Sequence, residues 1–369
     1  MKPALRPLPR VLLRHGLSRP PFLESRRIDE LYLMLTLECN LRCRACILWG
    51  GTGACQDPAL LRRHAGGLPR AVLKRVVDEI APLRPGQLNL AGGEPLLSPH
   101  WLAVARHARR RGIPVTLTTN GVLLNRYWRE VLGAVDQVNL SLDGPPSIAD
   151  VVRPGKPGYF RDMLLGLKAL ARARRGGRKP LLRVLCVISE KNCGRLVELV
   201  DFLEKAEVGV DQYYFQHLIF NSPATLRRHA RVCREEFGAP LSFWKGYGLS
   251  PGRMDLDLLH EELECLRRRH PDVRFSTELD RDGLRRYYAS GRARPAPSYC
   301  LGPWNQPNLL PDGTVWSCPD LPLGNVLRDD FAAIWNGAAA RALRRRTLRK
   351  LFPACAGCFS CYGDRKEAA

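Results

Sequence analysis

Between residues 31 and 217 the chain alternates two hydrophobic rhythms. Apolar or alternating runs at 31–37, 87–91, 114–118, 137–142, 181–188 and 212–217 predict strands. Between them, residues 70–80, 101–111, 160–172 and 195–206 repeat apolar side chains at steps of three and four, and predict amphipathic helices. Successive β-α units imply a parallel sheet, open or partly closed into a barrel, that receives its ligands at the carboxyl ends of its strands. The beat is lost after residue 220. Two or three helical patterns follow, including 225–237 and 255–270, and then short strand and turn signals around Pro311-Asp312-Gly313 precede a last helix. The pattern divides the chain into an extension (1–28), an α/β barrel region (29–220), a helical bridge (221–298) and a small cysteine-rich segment (299–369).

Composition changes this picture in two places. Thirteen cysteines in 369 residues, with neither a signal peptide nor an apolar run of about 18 residues, point to cytoplasmic thiols used as metal ligands. A net charge of +22 favours acidic partners. Runs such as Arg344-Arg345-Arg346 carry no interleaved aromatic residues to stack bases, so nucleic acid is not the expected partner, and no membrane segment is indicated.

The chemistry begins directly after the first strand. Cys39, Cys43 and Cys46 can hold three corners of a four-iron four-sulfur cluster and leave the fourth iron open to a ligand. Two other uses compete, packing of three cysteines on one helix face and a zinc or dithiol site. Asn40, Arg42 and Arg44 make the segment too polar for a packed helix. One β-α unit later, Gly92-Gly93-Glu94-Pro95 offers glycines that let a ligand approach the backbone and a carboxylate suited to an ammonium group.

With these motifs in place, the chain resembles the radical S-adenosylmethionine superfamily. The resemblance implies a partial (βα)6 barrel in which Cys39, Cys43 and Cys46 hold the catalytic cluster and the Gly92, Gly93 and Glu94 segment holds the methionyl amine of S-adenosylmethionine. It extends through Thr118-Thr119-Asn120-Gly121 and Ser141-Leu142-Asp143-Gly144, and implies cofactor contacts at Asn120, Ser141 and Asp143. Arg153 stands where relatives carry an arginine for the cofactor carboxylate. Asn192, in contrast, reads as a helix cap. One departure is Ala45, where the superfamily usually has an aromatic residue.

The second set of thiols is Cys300, Cys318, Cys355, Cys358 and Cys361. Cys300, Gly313 and Cys318, followed by Leu323-Gly324-Asn325-Val326 and Ile334-Trp335-Asn336-Gly337, resemble the auxiliary-cluster domain called SPASM or its shorter form called twitch. Five thiols fully ligate one four-iron cluster, so one auxiliary cluster is expected, on Cys300, Cys318, Cys355 and Cys358 with Cys361 as the rival for the last place. Zinc is the competing occupant. Asp320, two residues after Cys318, is the candidate base.

The expected activity is reductive cleavage of S-adenosylmethionine and hydrogen abstraction from a peptide or protein side chain, with an electron donor such as flavodoxin or ferredoxin. A small-molecule dehydrogenase, an RNA-modifying enzyme and a zinc-binding interaction protein are the alternatives.

Overall fold

The computed structural model describes residues 23–174, 179–291 and 299–358. All six expected strands form within one residue of their expected bounds: β1 (Glu30–Thr36), β2 (Gln87–Gly92), β3 (Val115–Thr119), β4 (Gln137–Ser141), β5 (Leu181–Ile188) and β6 (Gln212–His217). The connecting helices are α1 (Arg70–Ile80), α2 (Trp101–Arg110), α3 (Leu124–Ala134), α4 (Tyr159–Ala173) and α5 (Leu196–Lys205). The pattern did not single out α3. The apolar Val122 and Leu123 run straight into it and no side chain caps its start, which blurs the boundary. Shorter helices, Pro58–His64, Ala149–Val152 and Gly302–Asn305, lie in the connections.

Strands β1 to β6 pair in parallel and in chain order, but β1 and β6 do not pair with each other, so the barrel stays open. One face of the sheet carries Leu31, Leu33, Leu88, Leu90, Val115, Leu117, Val138, Leu140, Val184 and Phe215, which pack under the helices in one apolar core. The alternate residues are mostly polar. Asn89 Nδ2 and Gln87 Nε2 donate to Glu30 Oε1 at 2.7 and 3.0 Å, Thr118 Oγ1 donates to Asn89 Oδ1 at 2.9 Å, and Thr116 Oγ1 donates to Gln87 Oε1 at 2.7 Å. Burying this ladder is tolerable because its groups satisfy one another. Burial nevertheless raises the carboxyl of Glu30 above its ordinary range. On β6, Tyr213 and His217 fall on the buried helix-facing side and Tyr214 on the half-buried side.

The bridge contains α6 (Pro223–Phe237), α7 (Leu256–Arg269), β7 (Arg274–Phe275) and α8 (Arg281–Ser290). Strand β7 pairs parallel to β6 and so prolongs the sheet, a contribution too short to announce itself by pattern. The cysteine-rich segment contains β8 (Asn308–Leu309), β9 (Thr314–Trp316), β10 (Pro322–Asn325), α9 (Phe331–Trp335) and α10 (Ala338–Arg349). It joins the same sheet, because β8 pairs with the free edge of β1.

Arg344 fastens this end of the molecule. It is fully buried, it donates to the carbonyls of Pro303, Leu23 and Trp335 at 2.9, 2.6 and 2.8 Å and to Asn336 Oδ1 at 2.9 Å, and burial lowers its pKa to about 10. The basic run therefore contributes one interior clamp rather than three solvated cations. Among the described residues no helix is long and apolar enough to cross a membrane, and all twelve described cysteines are unbridged.

Helices α3 and α4 cross at Gly166, where a Cβ would stand 2.2 Å from the backbone nitrogen of Asn125. Gly166→Ala is expected to cost about 1–3 kcal/mol by overpacking. Gly133→Ala, in open space on α3, is expected to stabilise by up to about 1 kcal/mol. Urea unfolding of both variants measures the difference.

Candidate active site at the carboxyl edge of the sheet

The residues after β1 form turns, not a helix, so Cys39, Cys43 and Cys46 do not share a helix face. The loop is laced to the segment around residue 153. The amide of Arg42 donates to the carbonyl of Pro154 at 2.6 Å, that of Arg44 donates to the carbonyl of Val152 at 3.2 Å, and Arg44 Nε reaches the carbonyl of Val151 at 3.1 Å. Gly155, with φ +137, lies so close that a Cβ would be 2.9 Å from Leu41 Cα.

This lacing puts Arg153 beside the thiols. Its Nη1 is 3.7 Å from Cys43 Sγ, its Nη2 is 2.7 Å from Asp143 Oδ2, and its Nε is buried without a partner among the described residues. Asp143 Oδ1 accepts from the amide of Val187 at 2.8 Å. Both oxygens of Asp143 are thus occupied, and it positions Arg153 where a cofactor contact was expected of it. The paired carboxylate holds the guanidinium above its already high pKa despite the opposing effect of burial. Asn192 does not cap the helix that follows, whose N-cap position is Arg195 with no side-chain bond; instead it ties two strand ends together, its Oδ1 accepting from the amide of Ser189 at 2.7 Å and its Nδ2 donating to the carbonyls of Asp143 and Val187 at 2.6 and 2.8 Å.

Glu94 joins three strand ends. Its amide donates to the carbonyl of Glu38 at 2.8 Å. Its Oε1 accepts from Thr119 Oγ1 at 2.8 Å and from the amide of Leu96 at 3.2 Å, and its Oε2 accepts from the amide of Asn120 at 2.9 Å. Full burial outweighs these bonds and pushes the carboxyl up to about 7. The glycines before it differ from expectation. A Cβ on Gly92 would be 2.3 Å from the carbonyl oxygen of Thr36 and one on Gly93 2.1 Å from that of Glu38, so the chain itself occupies the space the glycines leave.

Asn120 Nδ2 donates to Asn40 Oδ1 at 2.7 Å and lies 3.8 Å from Cys39 Sγ. Ser141, half-buried at the end of β4, makes no hydrogen bond through its hydroxyl among the described residues. Burial drives the thiol of Cys39 up to about 11 and that of Cys43 up to about 12, so cluster loading must displace protons from them. The aromatic residue near Cys46 is Trp49. Trp49 donates through Nε1 to the carbonyl of Leu37 at 2.8 Å, and the guanidinium of Arg42 lies over its ring at 3.9 Å.

The second thiol set gathers at the far end of β9. Cys318 is raised well above the ordinary thiol range by burial and by the nearby charges of Cys300, Cys355 and Cys358, and Cys355 is raised by burial with Cys358 and Cys300 as neighbours. Cys361 lies outside the described residues. Among the described residues no three His, Cys, Asp or Glu side chains are arranged to share a single metal ion. The ligands of a four-iron cluster each bind a different iron and stand farther apart. Three thiols beside an unpartnered buried guanidinium nitrogen fit such a cluster with an anionic ligand at its open corner.

One connecting element escaped the sequence. Asp320, with φ +64, accepts from the amides of Ser242, Phe243 and Trp244, each at 2.9 Å. Burial raises its carboxyl. This is the work of an anchor and differs from the base expected there, because both oxygens are already engaged. The anchored turn, Phe243–Tyr247, presses on the other thiol loop, where a Cβ on Gly246 would be 2.1 Å from the carbonyl of Ile47. Tyr247 consequently sits within electrostatic reach of Cys358, Tyr32, Asp320 and Cys46. Only the aromatic run Phe243-Trp244 and Gly246 hinted at it in sequence.

The raised carboxyl of Glu94 has a measurable consequence in the metal-free protein. A folded pKa of about 7 against an unfolded value near 4.5 means that the contribution is fully present below pH 4.5 and lost as pH rises through 7. Urea unfolding is expected to show a decline of roughly 3 kcal/mol over that window, and Glu94→Gln is expected to flatten it. Asp143→Asn leaves Arg153 buried and unpaired, and is expected to cost about 3–5 kcal/mol.

Comparisons with known proteins agree with this geometry. Residues 33–205 match the radical SAM superfamily and residues 300–361 match the SPASM iron-sulfur cluster-binding domain. The chain is 27% identical to the pre-heme d1 synthase of Dinoroseobacter shibae over 91% of its own length and 81% of that protein. It is also 27% identical to the PqqA peptide cyclase of Ruegeria pomeroyi, over 84% of its own length and 74% of that protein. Among solved structures, SuiB of Streptococcus suis bound to its precursor peptide SuiA shares the fold, with a TM-score of 0.58 and 14% identity over 89% of this chain and 67% of that one. The chain belongs to the radical S-adenosylmethionine superfamily, as an enzyme that uses S-adenosylmethionine and a four-iron cluster and carries a SPASM iron-sulfur domain at its carboxyl end.

Proposed function

We propose that this enzyme takes a hydrogen atom from a peptide or protein side chain held at the open mouth of the barrel. The observation that carries the reading is the buried, incompletely used guanidinium of Arg153 beside the thiol triplet, at the carboxyl edge of a half-open polar sheet. Cys39, Cys43 and Cys46 would hold the catalytic cluster. When bound and reduced, the cluster supplies the electron that splits S-adenosylmethionine into methionine and a 5′-deoxyadenosyl radical. Arg153 suits the cofactor carboxylate, with Asp143 fixing its angle. Asn120, Ser141 and the backbone of Gly92, Gly93 and Glu94 supply the remaining polar groups of that rim.

One auxiliary cluster, on Cys300, Cys318, Cys355 and Cys358, would accept the electron left on the substrate. A flavodoxin or ferredoxin in a reducing, cytoplasmic compartment would service both clusters. Similarity to the PqqA peptide cyclase supports the peptide reading. A second reading, a heme-type precursor as substrate, is favoured by similarity to the pre-heme d1 synthase over more of the chain.

Anaerobic reconstitution is expected to load about eight irons per chain, falling to about four in the double variant Cys300→Ala, Cys318→Ala. With dithionite and S-adenosylmethionine, mass spectrometry is expected to detect 5′-deoxyadenosine, and Cys43→Ala is expected to lower it at least 100-fold. A colourless zinc protein would sink the assignment. Deuterium carried into 5′-deoxyadenosine from labelled peptide pools or from a labelled heme precursor decides between the two substrates.

A further inference from the structure

Helices α6 and α10 roof the auxiliary thiols. Cys233, Val232 and Phe237 of α6 and Leu343 of α10 pack in one apolar cluster with Phe352, Cys318 and Cys355. Glu236 of α6 pairs with Arg346 of α10 and ties the two helices together. Their other sides are basic. Arg227, Arg231 and Arg234 follow each other at steps of four and three, so they form one stripe on α6, joined by Arg228; Arg345 and Arg349 stand one turn apart on α10. All six are exposed.

None of the six forms an ion pair among the described residues. Exposed arginines are matched in some places, as Arg75 with Glu79 and Arg111 with Asp78, and unmatched in others, as Arg62, Arg126 and Arg129; what marks these six is that they crowd onto two packed helices over the auxiliary thiols. Like charges three and four residues apart on a helix repel by about 0.2–0.5 kcal/mol per pair, so an unmatched stripe has no reason in the stability of the monomer. It has one in association, where unpaired surface charge steers an oppositely charged partner.

We propose that the outer faces of α6 and α10 are the docking surface for an acidic one-electron carrier protein of flavodoxin or ferredoxin type. The inference rests on the reading of the thiols beneath as cluster ligands in an oxidation. In that reaction one electron enters to cleave S-adenosylmethionine. Abstraction converts the substrate C–H bond to a carbon radical and 5′-deoxyadenosine. Loss of one proton and one electron then completes the oxidised product. The outgoing electron passes through the auxiliary site to an oxidised carrier, so the carrier pool gains as many electrons as it gives. The stripe lacks the interleaved aromatic residues that base stacking requires, which favours an acidic protein over nucleic acid.

The test is interferometry of the reconstituted holoprotein against an acidic flavodoxin as probe. Binding is expected to weaken at least tenfold between 50 and 300 mM salt, on the order of what screening of a multi-charge surface produces. The triple variant Arg227→Glu, Arg231→Glu, Arg234→Glu and the double variant Arg345→Glu, Arg349→Glu are each expected to weaken it at least tenfold. The pair Arg126→Glu, Arg129→Glu on α3 is expected to stay within twofold, and circular dichroism checks that each variant folds. Unchanged binding in both roof variants, equal loss in the α3 pair, or tighter capture of a single-stranded RNA than of flavodoxin would overturn the proposal. Absence of 5′-deoxyadenosine with dithionite, which needs no docking surface, would instead mark failure of the parent reading.

Discussion

A fully buried carboxylate governs the catalytic edge of this protein. Glu94 accepts from Thr119, Asn120 and Leu96 while its own amide reaches Glu38, so one residue joins the ends of β2 and β3 to the loop that begins the thiol triplet. A parallel sheet leaves its strand ends splayed, with no hairpin to hold neighbouring loops together. Here the cross-linking falls to side chains at the carboxyl edge. Glycine at 92 and 93 lets the strands approach closely enough for that bonding, because any Cβ there would meet the carbonyls of Thr36 and Glu38.

The Arg153–Asp143 pair extends the same logic across the barrel. Breaking a buried pair costs more than the pair contributes in isolation, so each partner holds the other in place. Asp143 is itself fixed by the amide of Val187, and the loop of Arg153 by the backbone of Arg42 and Arg44. A guanidinium 3.7 Å from Cys43 is therefore placed by three separate elements. On the opposite side, Asp320 does for the auxiliary thiols what Glu94 does for the triplet, drawing the amides of residues 242–244 into a turn that reaches both sets. The two metal-binding ends are mechanically continuous through that turn and through the shared sheet.

Much of this is legible in the amino-acid sequence. Strand and helix bounds followed from the alternation of Leu31, Leu33 and Leu35 and the three-four spacing of Leu73, Val76, Val77 and Ile80, because each pattern puts apolar surface on one side of a regular backbone. The thiols and the Gly-Gly-Glu segment were legible because they are contiguous in sequence. Less legible were contacts between distant residues: Arg344 reads as one of three solvated arginines, yet four acceptors from three segments, at Leu23, Pro303 and Trp335-Asn336, enclose it. Asp320 reads as a base or a turn residue, and its partners lie 76 to 78 positions away.

The sequence by itself determined the six parallel strands, most of the helices between them, the family and the thiols available for iron, since periodicity and short-range spacing are properties of local backbone geometry. Tertiary structure alone decided which polar groups remain free. Asp143, Glu94 and Asp320 carry the same carboxylate as any other acid, but each is consumed by amides and cations that the fold brings to it from elsewhere. Arg153 keeps a buried nitrogen unused. The physical reason is that burial makes an unpartnered polar atom costly, and the partners on offer are set by which strand ends meet and not by the order of residues along the chain.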